Sequence, residues 1–214
     1  MLTLAVDTCL GACTAALMRD GTLVATQSEA MTRGHQERLA PMVQETMAGA
    51  GLGFDAIDRF AATVGPGSFT GLRIGLAFAK GLALAMERPC VGVGALEALA
   101  ASVEDGGLAA ALIDAGRGRV FLQAFAGGRA LMAPDNLEVG NAAARLAELS
   151  IGEDIRLVGP GAALLADSFP TARPILLAAP TALAIVRLAE RADAVPPRPL
   201  YLRAPDARPK SASR

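Results

Sequence analysis

The sequence has no tryptophan, one tyrosine, one histidine and three cysteines in 214 residues. So few aromatic side chains leave little material for a surface on which unpaired bases could stack. Because Cys9, Cys13 and Cys90 are an odd number and form no C-x-x-C pair, reduced and buried thiols are predicted rather than a disulfide framework. A single histidine excludes every metal site that needs two, including H-E-x-x-H.

Long apolar runs are also missing from the sequence. No stretch approaches the roughly 20 uninterrupted apolar residues of a membrane helix. The opening, MLTLAVD, has neither the basic region nor the long apolar region of a signal peptide. We therefore expect a cytoplasmic protein without membrane contact. Its hydrophobic content of 52% is enough for one large core or two small ones.

Acidic residues slightly outnumber basic ones outside the end of the chain. The formal net charge is −1, but the last twenty residues carry five basic groups and one Asp. The mildly acidic remainder argues against direct binding of nucleic acid, because phosphate contacts need clustered Lys and Arg. We expect the proline-rich basic tail to be solvated and partly disordered, and contact with RNA or an acidic partner is the alternative.

The patterns that are present occur twice, in the same order. LTLAVD at residues 2–7 and AAALID at residues 109–114 are short apolar strands ending in Asp, and another strand begins six residues beyond each Asp. VGPG at residues 64–67 recurs at residues 158–161, each time after an apolar strand and before a helical segment. This order indicates an internal duplication that yields two mixed α/β lobes.

The duplication predicts a two-lobed molecule with a cleft. We assign residues 1–104 to the N-terminal lobe and residues 105–214 to the C-terminal lobe with its tail. In the N-terminal lobe, helices are predicted from His35 to Ala48 and from Phe69 to Met86, with Ser68 or Thr70 as the cap of the second helix. Two such lobes side by side are the layout of the actin-like ATPase superfamily.

The sequence also resembles one family over nearly its whole length. The core of the resemblance is GPGSFTGLRIG at residues 65–75, supported by the opening LAVDT, the His35 helix, GALEALA at residues 94–100, Ile113-Asp114-Ala115 and the terminal PLYLR. These segments are similar to those of the TsaB family, the bacterial tRNA threonylcarbamoyladenosine biosynthesis proteins.

The resemblance implies a non-catalytic role in a complex. Members of this family are partners of a larger catalytic paralogue, TsaD, which transfers threonylcarbamoyl from threonylcarbamoyl-adenylate to N6 of the adenosine just 3′ of the anticodon in tRNAs that read codons beginning with A. A small ATPase, TsaE, completes the complex. The resemblance further implies a homodimer in isolation, formed through the same helical surface, and contact with tRNA only through the complex.

The helix after GPGSFTG suggests where a partner binds. It is apolar over nearly its whole circumference except at Arg73 and Lys80, which is more than one sheet face can cover. The His35 helix, with its methionines, is the expected companion in a four-helix interface. Packing inside the chain's own core is the alternative. The predicted interface residues are His35, Leu39, Met42, Val43, Met47, Gly71, Gly75, Phe78 and Leu82.

A weak or vestigial nucleotide site is predicted from Asp7, Thr8, Gly67 and Ser68, because in actin-like folds the first strand end approaches the phosphates. The turn after Asp7 has one Gly and no Lys, so a structural Asp that accepts backbone hydrogen bonds is the alternative. No cofactor is required by the predicted role, and weak binding of ATP or ADP is allowed.

Catalysis by the chain itself is the other functional hypothesis. The catalytic paralogue holds its metal with H-x-x-x-H and an Asp, which a chain with one histidine cannot reproduce. We therefore expect no catalytic residues and no metal. An independent actin-like kinase or ATPase stays open, as does a peptidase acting on its paralogue through His35 and Ser68.

Overall fold

The structure, a computed structural model, describes residues 1–103, 107–150, 154–191 and 196–203. The strands are β1 (Leu2–Asp7), β2 (Ala12–Arg19), β3 (Thr22–Ala30), β4 (Arg59–Gly65), β5 (Cys90–Gly94), β6 (Leu108–Gly116), β7 (Arg119–Ala126), β8 (Arg129–Ala130), β9 (Asp135–Glu138), β10 (Ile155–Val158) and β11 (Pro174–Ile175). The helices are α1 (His35–Gly49), α2 (Phe69–Ala85), α3 (Ala95–Ala101), α4 (Val139–Leu149) and α5 (Ala182–Ala189), with 3₁₀ helices at Phe54–Ala56 and Ala162–Ser168.

Two mixed sheets repeat one topology. The first has the order β3-β2-β1-β4-β5, and the second has the order β11-β10-β6-β7-β8 with β9 added beside β7. β1 is antiparallel to β2 and parallel to β4, and β6 is likewise antiparallel to β7 and parallel to β10. The predicted pair of duplicated lobes is therefore confirmed.

The two Gly-Pro-Gly turns follow β4 and β10, as the repeat predicted, but their continuations differ. In the first lobe the turn leads into α2, whose cap is the Ser68 side chain accepting a hydrogen bond from the Gly71 amide at 3.2 Å. In the second lobe it leads only into a 3₁₀ helix of seven residues. The second copy thus keeps the sheet and loses the long helix.

Helices cover both faces of the first sheet. One face packs against α1 and α2 through a core that includes Leu4, Phe60 and Met42. The opposite face packs against α5, where Ile185 and Val186 meet residues of β1, β2 and β5.

The division of the chain into residues 1–104 and 105–214 stays a prediction. The assigned boundary between residues 104 and 105 lies outside the described residues, as do parts of the tail at residues 192–195 and 204–214. Helix α5 lies within residues 105–214 but packs on the sheet of the N-terminal lobe. Its apolar side chains complete the face of that sheet that α1 and α2 leave uncovered.

The lobes are joined by a continuous apolar core around α3. Leu96 and Leu99 of α3 pack together with Leu72 of α2 and with Phe121 and Val158 of the second lobe. Among the described residues, no helix is both long and apolar enough to cross a membrane.

Candidate functional site

The predicted nucleotide-site residues are brought together at one edge of the first sheet. β1 and β4 are parallel neighbours, so the Asp7-Thr8 turn and the Gly67-Ser68 turn follow the same sheet edge. The Ser68 amide donates to the Cys9 carbonyl at 2.8 Å. A Cβ on Gly67 would overlap that carbonyl oxygen, so glycine is needed for this close approach.

Asp7 is completely buried and organises the turn. Its Oδ1 accepts hydrogen bonds from the Thr63 hydroxyl and from the Cys9 amide, the latter at 3.0 Å. Its Oδ2 has no hydrogen-bond partner among the described residues. Thr8 is buried as well, and its hydroxyl donates to the Gly71 carbonyl at 2.7 Å. These contacts support the structural alternative for Asp7, while nucleotide binding stays a prediction.

A cavity of about 1010 Å³ lies beside these turns, between the lobes. Its described walls are largely apolar, with Leu10, Leu72 and Phe121 among them, and their cationic residues are Arg73 and Arg203 rather than a lysine. The Gly11 amide at its edge already donates to the Ala178 carbonyl at 3.0 Å, so that amide is not open to a phosphate. Cys9 also lines the cavity, and its complete burial raises the pKa of its thiol well above the ordinary value.

The two residues of the peptidase hypothesis have separate roles. The Ser68 hydroxyl caps α2. His35 begins α1, is only 8% exposed, and its Nε2 has no hydrogen-bond partner within the described part of the chain. The hydroxyl and the imidazole therefore do not form the hydrogen-bonded pair that activates a serine nucleophile.

Most predicted interface residues point inward, which corrects their expected placement. Leu39, Met42, Val43 and Met47 are at most 2% exposed and pack in the core of the first lobe. His35 is buried with them, whereas Phe78 and Leu82 are half-buried against the same core. These side chains hold α1 and α2 on the sheet, so most of the contact with a partner would fall to other residues of the two helices.

Gly71 and Gly75 are also explained within the chain. A Cβ on Gly71 would overlap the Thr8 carbonyl oxygen, and one on Gly75 would lie 2.8 Å from the Thr8 hydroxyl oxygen. The glycines therefore let α2 pass close to the turn after β1. Gly71 and Gly75 therefore serve close packing within the chain, which was the alternative to a partner interface.

The outer surface of the two helices forms what we call the α1–α2 groove. It encloses about 490 Å³. It is lined by Gln36, Leu39, Ala40, Phe69, Thr70, Arg73, Ile74, Ala77 and Phe78.

Sequence reasoning missed the outward residues of α2. Phe69 is 54% exposed and Leu84 is 83% exposed, with exposed Ala77 and Gly81 between them. A helix that is apolar on nearly every side gives no periodic signal for which face is outward. The charged Arg73 and Lys80, which are exposed on the same helix, were the available signal for its outward side.

Comparisons with known proteins agree on the family. The family model described as TsaD: tRNA N6-adenosine threonylcarbamoyltransferase matches residues 23–152. The tRNA threonylcarbamoyladenosine biosynthesis protein TsaB of Escherichia coli strain K12 is 45% identical over 100 residues, which are 47% of this chain and 43% of that protein. The match thus spans less than half of that relative's length.

Solved structures extend the likeness over the whole fold. YeaZ from Pseudomonas aeruginosa is 32% identical with a TM-score of 0.80, covering 94% of this chain and 99% of that one. The activator of the 2-hydroxyisocaproyl-CoA dehydratase from Clostridium difficile, solved with bound ADPNP, is 12% identical with a TM-score of 0.51, covering 88% of this chain and 93% of that one. The latter shows the actin-like ATPase fold alone. Together these findings place the chain in the TsaD family, as a protein of the TsaB/YeaZ type.

Proposed function

We propose that this chain is a non-catalytic docking subunit in the biosynthesis of threonylcarbamoyladenosine in tRNA. In this role it binds the catalytic TsaD-type paralogue through the α1–α2 groove and the outer face of α2. The paralogue transfers threonylcarbamoyl to N6 of adenosine, and a TsaE-type ATPase and the tRNA join through the complex. The role requires no cofactor on this chain.

The apolar outer face of α2 carries this proposal. Phe69 and Leu84 expose more than half of their surface, and the half-buried Ile74 and Phe78 lie beside the exposed Ala77. Single exposed apolar residues are ordinary on protein surfaces, but apolar residues grouped along a groove are typical of an interaction site. The exposed Arg73 and Lys80 lie on the same helix and add positive charge to its outer surface. Covering it with another helical surface would remove this apolar area from water.

Gly81 supports a close helical contact at this face. It lies within α2, is exposed, and a Cβ added to it would meet nothing within 4 Å. Glycine inside a helix costs about 1 kcal/mol relative to alanine, and nothing in the described part of this chain explains that loss. A partner backbone that approaches α2 at Gly81 would explain it.

The choice of partner follows from the family relationship. The family model covers residues 23–152, which include all of α1 and α2. A TsaD-type paralogue built on the same framework would present a corresponding pair of helices. Two such pairs can pack about a pseudo-twofold axis as a four-helix contact. The same geometry permits a homodimer when the paralogue is absent.

Reconstitution tests the proposal. Purified TsaD-type paralogue, TsaE-type ATPase, tRNA and threonylcarbamoyl-adenylate are incubated with and without this chain, and modified adenosine is quantified. We expect efficient modification only when the chain is present. Equal modification without the chain would rule out the proposed role.

A matched pair of substitutions tests whether the paralogue binds at the α1–α2 groove. Ala77→Arg places a charged, bulky side chain in the α1–α2 groove, and we expect it to abolish binding of the paralogue and stimulation of modification. Ala147→Arg, at an exposed position on α4 of the other lobe, is the control and should behave as wild type. If both variants bind the paralogue equally well, the groove is not the docking surface.

A further inference from the structure

The segment at residues 196–203, which we call the C-terminal strap, bridges the two lobes. The Leu200 amide donates to the Val64 carbonyl of β4 at 2.7 Å. On the other side, the Asn136 side-chain amide donates to the Leu202 carbonyl at 3.2 Å, and the Arg203 guanidinium donates to the Ala115 carbonyl at 3.2 Å. The strap thus forms hydrogen bonds with both lobes, at residues on either side of Tyr201.

Tyr201 contacts the first turns of α2 in two ways. Its ring lies 5.4 Å from the ring of Phe69, measured between centroids, at a tilt of 35°. Its hydroxyl accepts a hydrogen bond from Nε of Arg73 at 3.3 Å. Arg73 in turn lies over Phe69, with its guanidinium carbon 3.8 Å from the ring centroid. The three side chains therefore order one another through aromatic, cation–π and hydrogen-bond contacts.

Phe69 and Arg73 are shared between this cluster and the α1–α2 groove, because both residues line the groove. Phe69 is 54% exposed and Tyr201 is 47% exposed, so both rings are accessible to a partner that binds in the groove. Arginine and aromatic residues are the types that contribute most to binding at protein interfaces. A long side chain that is already ordered loses less entropy on binding.

We propose that Tyr201 is a positioning residue for docking, which holds Phe69 and Arg73 in the conformation that the partner contacts. The docking surface thus extends from the α1–α2 groove onto the strap. This inference rests on the proposed function, and its occupant is the same catalytic paralogue. Tyr201 acts on docking through Arg73 and Phe69.

The cluster can be tested first in the isolated chain. Tyr201 is the only tyrosine and the chain has no tryptophan, so tyrosine emission reports the strap alone. We expect Arg73→Ala to increase quenching of this emission by acrylamide, a neutral quencher that does not respond to the lost charge, because the hydroxyl loses its donor and the cluster loosens. The control Arg198→Ala, at an exposed strap position, should leave quenching unchanged. Unchanged quenching in Arg73→Ala would overturn the inference without reference to any partner.

Affinity for the paralogue tests the role in docking. The entropy lost when one long side chain becomes ordered lowers the binding affinity by roughly threefold to tenfold. We expect Tyr201→Ala to weaken binding by about that factor and Tyr201→Phe, which keeps the ring, to weaken it less. Arg198→Ala should bind as wild type. Thermal unfolding of each variant identifies any general loss of stability, and Tyr201→Phe remains informative if Tyr201→Ala folds poorly.

A double-mutant cycle separates positioning from a merely structural effect. If Tyr201 acts through Arg73, the affinity lost in Tyr201→Phe disappears in an Arg73→Ala background. Additive losses would overturn the inference, as would wild-type affinity in both Tyr201 variants. Failure of the wild-type chain to bind the paralogue would instead overturn the proposed function, and this inference with it.

Discussion

Gly71, Gly75 and Gly81 lie on one helix but have different neighbours. Gly71 and Gly75 face Thr8, and side chains at these positions would collide with the buried turn after β1. Gly81 faces outward with no atom near its missing Cβ. The first two glycines therefore serve folding, whereas the third is available for contact with a partner.

Alanine substitutions should separate these roles. Gly71→Ala forces a methyl group onto the Thr8 carbonyl, which is backbone of a buried turn, and we expect a loss of about 3 kcal/mol in the free energy of unfolding. Gly81→Ala should instead stabilise the isolated chain by about 0.5–1 kcal/mol and weaken docking on the paralogue. Denaturant unfolding and binding titrations measure the two effects. A destabilised Gly81→Ala chain, or a Gly71→Ala chain of unchanged stability, would contradict this assignment.

Asp7 offers a second test at the residue scale. Asp7→Ala removes the acceptor of the Cys9 amide and the Thr63 hydroxyl, and leaving buried donors unpaired costs about 1–3 kcal/mol each. Asp7→Asn keeps an acceptor at Oδ1, so we expect a clearly smaller loss of stability. Chemical denaturation compares the two variants.

The same Asp7→Asn variant examines the predicted nucleotide site. Calorimetric titration with ATP and Mg²⁺ should give equal heats for wild type and Asp7→Asn if the carboxylate is only structural. Binding that is present in wild type and lost in a folded Asp7→Asn chain would instead assign the carboxylate to nucleotide.

At the scale of single elements, the sequence was informative about where helices begin and end. α1 was predicted from His35 to Ala48 and occupies His35–Gly49, and α2 was predicted from Phe69 to Met86 and occupies Phe69–Ala85. The signals are local, because a cap, a Gly-Pro-Gly turn and a change of periodicity act within a few residues. Ser68 as the cap of α2 is the clearest example.

Which face of each helix is buried in the chain's own core could not be predicted from such local signals. Leu39 and Met42 of α1 were assigned to a partner interface, and the structure buries both in the chain's own core. An apolar stripe predicts that something covers it, but whether the cover is the chain's own sheet or a partner depends on tertiary packing. For the same reason the packing of α5 on the first sheet could not be predicted from its position within residues 105–214.

At the scale of the whole molecule, the lobes are interlocked rather than adjacent. α3 lies in a core shared with β6 and β7, and α5 returns the chain to the first sheet. The start of α5 is tied to the end of α3, since the Thr181 amide donates to the Ser102 hydroxyl oxygen at 2.8 Å. The docking surface on α2 therefore rests on a framework built by both halves of the sequence.

Interlocked lobes should unfold together. Ile185 on α5 is 1% exposed and packs on the first sheet, and Ile185→Ala should lower the free energy of unfolding by about 2–4 kcal/mol. Because the lobes share a core, we expect one calorimetric transition and an equal increase of native-state hydrogen exchange in β1 and β6. Leu146→Ala, on the buried face of α4 in the core of the second lobe, is the reciprocal variant and should accelerate exchange in both strands equally. Exchange that accelerates only in the strand nearest each substitution would mean that the lobes unfold separately, and the α2 surface would then depend on the first lobe alone.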